Sequence, residues 1–214
     1  LKWIKPLAFA LVLVVITLAA AGGAAAQASA TIPEVTVVLD AGHGGFDGGV
    51  VSKDGDRESD LNLAITKRVK KRLEGGGVRV ILTRKDEGAL GVTKKEDMRK
   101  RAEIINASGA DAVISIHVNK YTQSYRRGIQ VFYGDSGYGG PFAVKLQGVF
   151  NTYINSKYSG RNYSALAGDY FIAKCSSIPS VIVECGFISN AEDLKLLKTR
   201  SYADEIAECI YKAL

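Results

Sequence analysis

The chain has 214 residues, 47% of them hydrophobic and 23% charged, with a formal net charge of +6. Those proportions exclude a disordered or low-complexity polymer and fit one well-buried globular domain with residues to spare. Lys2 and Lys5 lie in the N-terminal segment, so +4 of the +6 belongs to the rest, a modest excess that suits an anionic polymer or surface and reads first as a solvated face.

In chain order, the basic start around Lys2 and Lys5 leads into an apolar run over residues 7–21. Small residues with A-x-A triplets follow up to Ala30. This is the pattern of a secretory signal peptide, and the run is short for a membrane span. Residues 1–30 are therefore expected to be a signal peptide or, if retained, an N-terminal membrane anchor, and the protein to be exported. Residues 31–214 are expected to form one catalytic domain, with no linker to a second.

A Val-rich stretch over residues 34–39 predicts the first strand, and residues 40–57, polar and rich in glycine, a long functional loop. Ser59 is placed to cap a helix over residues 60–74, whose apolar positions Leu61, Ile65, Val69 and Leu73 recur every four residues before Gly75-Gly76-Gly77 ends it. Residues 78–82 predict a second strand. Thr93 and Glu96 have capping-box spacing at the start of a helix to about Ala107. Residues 112–117 and 128–133 predict two more strands. Pro141 suits the first turn of a helix to about Asn155. A short strand is expected at 170–173, an apolar strand at 180–184, and helices at 191–198 and 202–213. Strands alternating with helices predict an α/β domain of three layers, a twisted, mostly parallel sheet of about six strands flanked by helices.

Only two histidines are present, His43 and His117, and each lies just beyond a predicted strand. Loops at the carboxyl ends of strands in such a sheet converge on one crevice, so two distant imidazoles can meet at one metal ion. Asp40, Asp47, Glu58, Asn119 and Glu184 share those strand ends and loops. A catalytic zinc site takes three protein ligands and keeps an open position, and His43, Glu58 and His117 can supply the three. Glu184 ends an apolar strand, where a carboxylate is costly unless paired or functional, and it is the candidate general base. The glycines after Asp40 match neither G-x-G-x-x-G nor a P-loop, so phosphate binding is disfavoured and nucleic acid is not an expected partner. No serine lies in a G-x-S-x-G elbow. Three cysteines, Cys175, Cys185 and Cys209, without C-x-x-C spacing, make neither a disulfide framework nor a cysteine zinc site, although a pairing of Cys175 stays open.

The segments Leu39-Asp40-Ala41-Gly42-His43-Gly44-Gly45, Glu58, Ser115-Ile116-His117-Val118-Asn119 and Glu184-Cys185-Gly186-Phe187-Ile188-Ser189-Asn190 resemble, in order, the zinc-dependent N-acetylmuramoyl-L-alanine amidases. Arg101 and Asn106 also match that pattern, and Ala41 stands where it usually has proline. The resemblance implies one Zn²⁺ per chain bound by His43, Glu58 and His117, catalysis by Glu184, and hydrolysis of the amide between the lactyl group of muramic acid and the L-alanine of the stem peptide. The pattern is most like the CwlD-type sporulation amidases, which implies a role before muramic-δ-lactam forms in spore cortex. It also implies peptidoglycan as partner, with an accessory protein for recruitment or activation. Asn119 and Arg57 are weaker candidates for orienting substrate. The readings left beside this one are another exported zinc hydrolase, such as a carboxypeptidase using Arg126 and Arg127 to hold a terminal carboxylate, and a non-catalytic wall-binding module.

Overall fold

Runs of Val, Ile and Leu fold into six strands of one sheet in the computed structural model, which describes residues 35–134 and 139–214. The expectations for residues 1–30 lie outside the described residues. Among the described residues, no helix is long and apolar enough to cross a membrane.

The strands are β1 (Thr36–Ala41), β2 (Arg79–Leu82), β3 (Ala112–Asn119), β4 (Gln130–Gly134), β5 (Leu166–Gly168) and β6 (Ser180–Phe187). Their spatial order is β2-β1-β3-β6-β4-β5. All neighbours run parallel except β4 and β6, which are antiparallel. The helices are α1 (Glu58–Glu74), α2 (Lys94–Ala107), α3 (Gly140–Phe150), α4 (Ser156–Tyr158), α5 (Phe171–Lys174), α6 (Ala191–Leu197) and α7 (Arg200–Ala213).

Alternation along the strands sorts the side chains into two layers. Val37, Leu39, Ile114, Ile116, Val181 and Val183 join the main core with Ile65 and Val69 of α1, Leu146 and Phe150 of α3, and Ile206 and Ile210 of α7. Val38, Val113 and Ile182 face the other way, into a smaller cluster with Ile105 of α2 and Ile172 and Ala173 of α5. This is the expected three-layer α/β domain.

The differences from the sequence reading have local causes. Helix α1 begins at Glu58 with Arg57 as its cap, and Ser59 lies inside it. The amides of Glu58 and Ser59 donate to the carbonyls of Val50 and Gly48, at 2.9 and 3.1 Å, so the loop itself satisfies the first turn and a side-chain cap is not needed. Thr93 does cap α2, accepting from the Glu96 amide at 3.2 Å, but Glu96 accepts in return from Val92 rather than from Thr93. The strand expected at 170–173 is the short helix α5, which turns Ile172 and Ala173 together into the smaller cluster; the fifth strand is instead Leu166–Gly168, paired with β4. The helix from Pro141 passes after Phe150 into a π-helical stretch, Asn151–Asn155. There the buried Asn155 bonds the backbone of Ile129, its Oδ1 accepting from N–H at 2.7 Å and its Nδ2 donating to the carbonyl at 2.9 Å. The three cysteines are free, with Cys185 and Cys209 buried.

Candidate metal centre

Strand β1 ends at Ala41, and the Gly42 amide extends its pairing by one bond, donating to the Ile116 carbonyl at 3.0 Å. The chain then turns at His43, whose φ is 62°, a left-handed conformation that costs about 1–2 kcal/mol outside glycine. Two glycines leave space for the imidazoles and the Glu58 carboxylate. A Cβ at Gly42 would lie 2.2 Å from the His117 ring, and one at Gly49 would lie 2.5 Å from Glu58 Oε2 and 2.8 Å from the His43 ring.

His117 is carried by β3, and Glu58 is the first residue of α1, where its carboxylate also faces the positive end of the helix. Glu58 Oε1 lies 3.0 Å from His117 Nδ1 and 3.3 Å from His43 Nε2. The same carboxylate accepts from two backbone amides, Val50 at 3.0 Å on Oε2 and Val118 at 3.3 Å on Oε1. One ligand atom from each of His43, Glu58 and His117 falls within 4.8 Å of the others, a group able to hold a metal ion. The edge of a tetrahedron with zinc-type ligand bonds is about 3.4 Å, close to both carboxylate–imidazole spacings. The second nitrogen of His43 also has the neighbour a metal-bound imidazole takes: its Nδ1 is 2.9 Å from Asp47 Oδ2, although off the line of a hydrogen bond.

The charges are coupled. Burial works against ionised Glu58, but the two imidazoles outweigh it and hold the carboxyl far below the ordinary range. Burial also works against a charged His43, and Glu58 with Asp47 reverses that, raising its pKa.

Glu184 sits directly beside His117 in the parallel pairing of β3 and β6, so both side chains emerge on the same face. Its Oε2 is buried and has no hydrogen-bond partner among the described residues. Burial pushes its pKa up to about 7, with Glu58 adding to the rise and the two histidines opposing it. A carboxyl poised there can take and return a proton near neutral pH. Beside the cluster, a groove of about 1180 Å³ runs between the segments containing Val50, Lys53, Tyr121 and Asn190.

Other residues from the sequence reading have supporting positions. Asp40 is buried under the cluster and accepts from Thr83, Ser115 and Arg101, each at 2.6 Å. Arg101 also pairs with Asp97 at 2.6 Å and donates to the His43 carbonyl at 2.6 Å. Asn106 ties α2 to the Cys175 carbonyl at 3.0 Å, and Arg57 holds the Gly45 carbonyl at 2.7 Å. Asn119 supports the site through its backbone, its carbonyl accepting from Ile188 at 2.8 Å. Arg126 lies over the Tyr121 ring and Arg127 is 3.7 Å from Asp193, so both cations considered for a carboxypeptidase pocket have partners within the chain. Sequence reasoning missed two residues, Asn62 and Arg84. Asn62 carried a signal, a lone amide four residues after Glu58 on the apolar side of α1. Arg84 carried none.

The family described as N-acetylmuramoyl-L-alanine amidase (Amidase_3) matches residues 37–214. A germination-specific N-acetylmuramoyl-L-alanine amidase of Bacillus subtilis is 33% identical over 189 residues, covering 83% of this chain and 77% of that protein. An uncharacterised B. subtilis protein, YqiI, is 31% identical, covering 88% of this chain and 87% of the relative. Among solved structures, the CwlD amidase of Clostridioides difficile, in complex with the GerS lipoprotein, superposes with a TM-score of 0.78 at 35% identity, covering 84% of this chain and 96% of that one. With the sequence matched from the first strand to the last helix and the fold shared, the chain belongs to the N-acetylmuramoyl-L-alanine amidase family.

Proposed function

We propose that this protein is a zinc-dependent peptidoglycan amidase that hydrolyses the bond between the lactyl group of N-acetylmuramic acid and the L-alanine of the stem peptide. The observation that carries the reading is the convergence of His43, Glu58 and His117 beside an unpartnered Glu184 oxygen, within a chain matched to the amidase family. In this reading His43 Nε2, Glu58 Oε1 and His117 Nδ1 would hold one Zn²⁺. When bound, zinc supplies Lewis acidity toward water and toward the scissile carbonyl.

The remaining chemistry belongs to the chain. Glu184 Oε2 accepts the proton of the attacking water as the new C–O bond forms. It then delivers that proton to the alanine nitrogen as the C–N bond breaks, leaving a lactyl carboxylate and a free amine. Asp47 faces His43 from its far side, and the Val50 and Val118 amides donate to Glu58. The groove past Val50 and Tyr121 receives the stem peptide.

The similarity to a germination-specific amidase and to CwlD supports a finer reading, removal of whole stem peptides from cortex muramic acid before the δ-lactam forms. It also supports an accessory lipoprotein-like partner and action outside the cytoplasmic membrane. Residues 1–30 serve there as a signal or anchor, and residues 31–214 as the catalytic domain.

The test is digestion of purified peptidoglycan by the zinc-loaded protein, followed by mass spectrometry. Intact stem peptides with free L-alanine amines and peptide-free glycan are expected. Cleavage within the stem peptide would favour the carboxypeptidase reading, and glycan binding without products would favour the wall-binding module. Cortex-type substrate processed no better than vegetative wall would remove the sporulation role.

A further inference from the structure

The Gly42 peptide is a junction of the three segments that carry the metal-type side chains. Its N–H donates to Ile116, one residue before His117, at 3.0 Å. Its carbonyl, one residue before His43, accepts from two side chains, Asn62 Nδ2 at 3.2 Å and Arg84 Nη2 at 3.0 Å. Both of those donors also reach the start of α1. Asn62 Nδ2 donates to Glu58 Oε1 at 3.3 Å, and Arg84 Nη2 donates to the Ser59 carbonyl at 2.8 Å.

Asn62 is fully buried on the apolar side of α1, and its Oδ1 has no partner among the described residues. A buried amide with an unpaired oxygen costs about 1–3 kcal/mol relative to a satisfied one, and a leucine of similar size would avoid that cost. The two N–H groups go to the two atoms that must be fixed for the cluster to keep its shape. One is the ligand oxygen on the helix, and the other is the carbonyl of the loop that carries His43.

We propose that Asn62 is a positioning residue for metal capture, its amide locking Glu58 Oε1 to the Gly42 carbonyl so that the helix-borne ligand and the His43 loop are in register before the ion arrives. The inference rests on the zinc reading above and goes beyond it by assigning a residue that supplies no ligand atom. Arg84 makes the parallel tie through backbone and so holds the two segments together. Of these two side chains, Asn62 is the one that reaches the ligand atom, which also accepts from the Val118 amide.

The test is zinc affinity of the full chain, measured by competition with a chromophoric chelator, together with thermal unfolding of the metal-free protein. Asn62→Leu should weaken zinc binding by about 10–100-fold, the range for loss of a residue that orients a ligand. The metal-free protein should unfold at the same or a higher temperature, because the unpaired amide oxygen has gone. Asn62→Ala, which cannot clash, serves if Asn62→Leu does not fold, with the same loss of affinity expected; the cavity it leaves lowers the unfolding temperature by itself, so for that variant affinity alone decides. Affinity within twofold of the parent in the folded variant overturns the proposal. So does a loss of affinity matched by a falling unfolding temperature of the metal-free form, which marks a purely structural role. A parent protein that binds no zinc removes the zinc reading and this inference together. A parent that binds tightly beside an unaffected variant removes only the inference.

Discussion

On the face of the sheet toward α1, α3 and α7, the strands β1, β3 and β6 contribute Val37, Leu39, Ile114, Ile116, Val181 and Val183, all buried and all apolar. On the opposite face the same strands carry Val38, Val113 and Ile182, followed by Asp40, Ser115, His117 and Glu184 toward their carboxyl ends. The period of two keeps the sets apart, so each strand serves the core with one alternate set of residues and chemistry with the other. The first face is held by non-directional burial. The second depends on a few directed contacts, Arg101 between Asp40 and Asp97 and the carboxylate of Glu58 between two imidazoles.

Breaking single contacts on each face should separate the two. The largest effect is expected from Glu184→Gln, which keeps the shape and removes the proposed proton acceptor. Hydrolysis should fall by about 10²–10⁴-fold while zinc stays bound and stability is undiminished. Parallel assays of turnover and metal content check this, and loss of the metal with the activity would make Glu184 part of the metal site instead. Next is Arg101→Met, which strands two carboxylates behind the His43 loop. Denaturant unfolding should show a loss of about 3–5 kcal/mol, as for other broken buried pairs. Ile114→Ala, on the apolar face of the same strand as His117, should cost about 2–5 kcal/mol and leave zinc affinity unchanged. A fall in affinity there would mean the faces are not independent.

The smallest effect at neutral pH is the titration of Asp40. Burial opposes its charge, but Arg101 and the hydroxyls of Ser115 and Thr83 more than compensate, lowering its pKa from 3.8. The folded state therefore binds this proton less readily than the unfolded chain. The stabilisation is complete above 3.8 and is lost as pH falls through the lowered folded value. Acid unfolding of Asp40→Asn should lack that component, so its stability should fall less steeply at the acid end.

The apolar face was legible in the sequence and the polar face only in part. Strand positions followed from Val and Ile runs, and His43, His117 and Glu184 stood out because each ends or follows such a run. Glu58 could be seen only as a loop acid, since its selection depends on how an irregular loop folds back to put the Val50 and Gly48 carbonyls over the first turn of α1. Arg84 was invisible because a buried arginine held by backbone carbonyls leaves no periodic trace. The strand expected at 170–173 failed because its Tyr-Phe-Ile composition favours a strand, whereas a helical turn is what lets Ile172 and Ala173 both reach the cluster behind β6.

The left-handed turn at His43 carries a consequence for redesign. Glycine adopts φ 62° freely, so His43→Gly would relax the backbone at that turn. On the metal reading proposed above, that replacement would give up a ligand imidazole and one of the two partners that keep buried Glu58 charged, so the relaxed backbone comes with a loss at the site. Screens that seek a hardier version of this enzyme therefore have to score hydrolysis alongside survival of the fold.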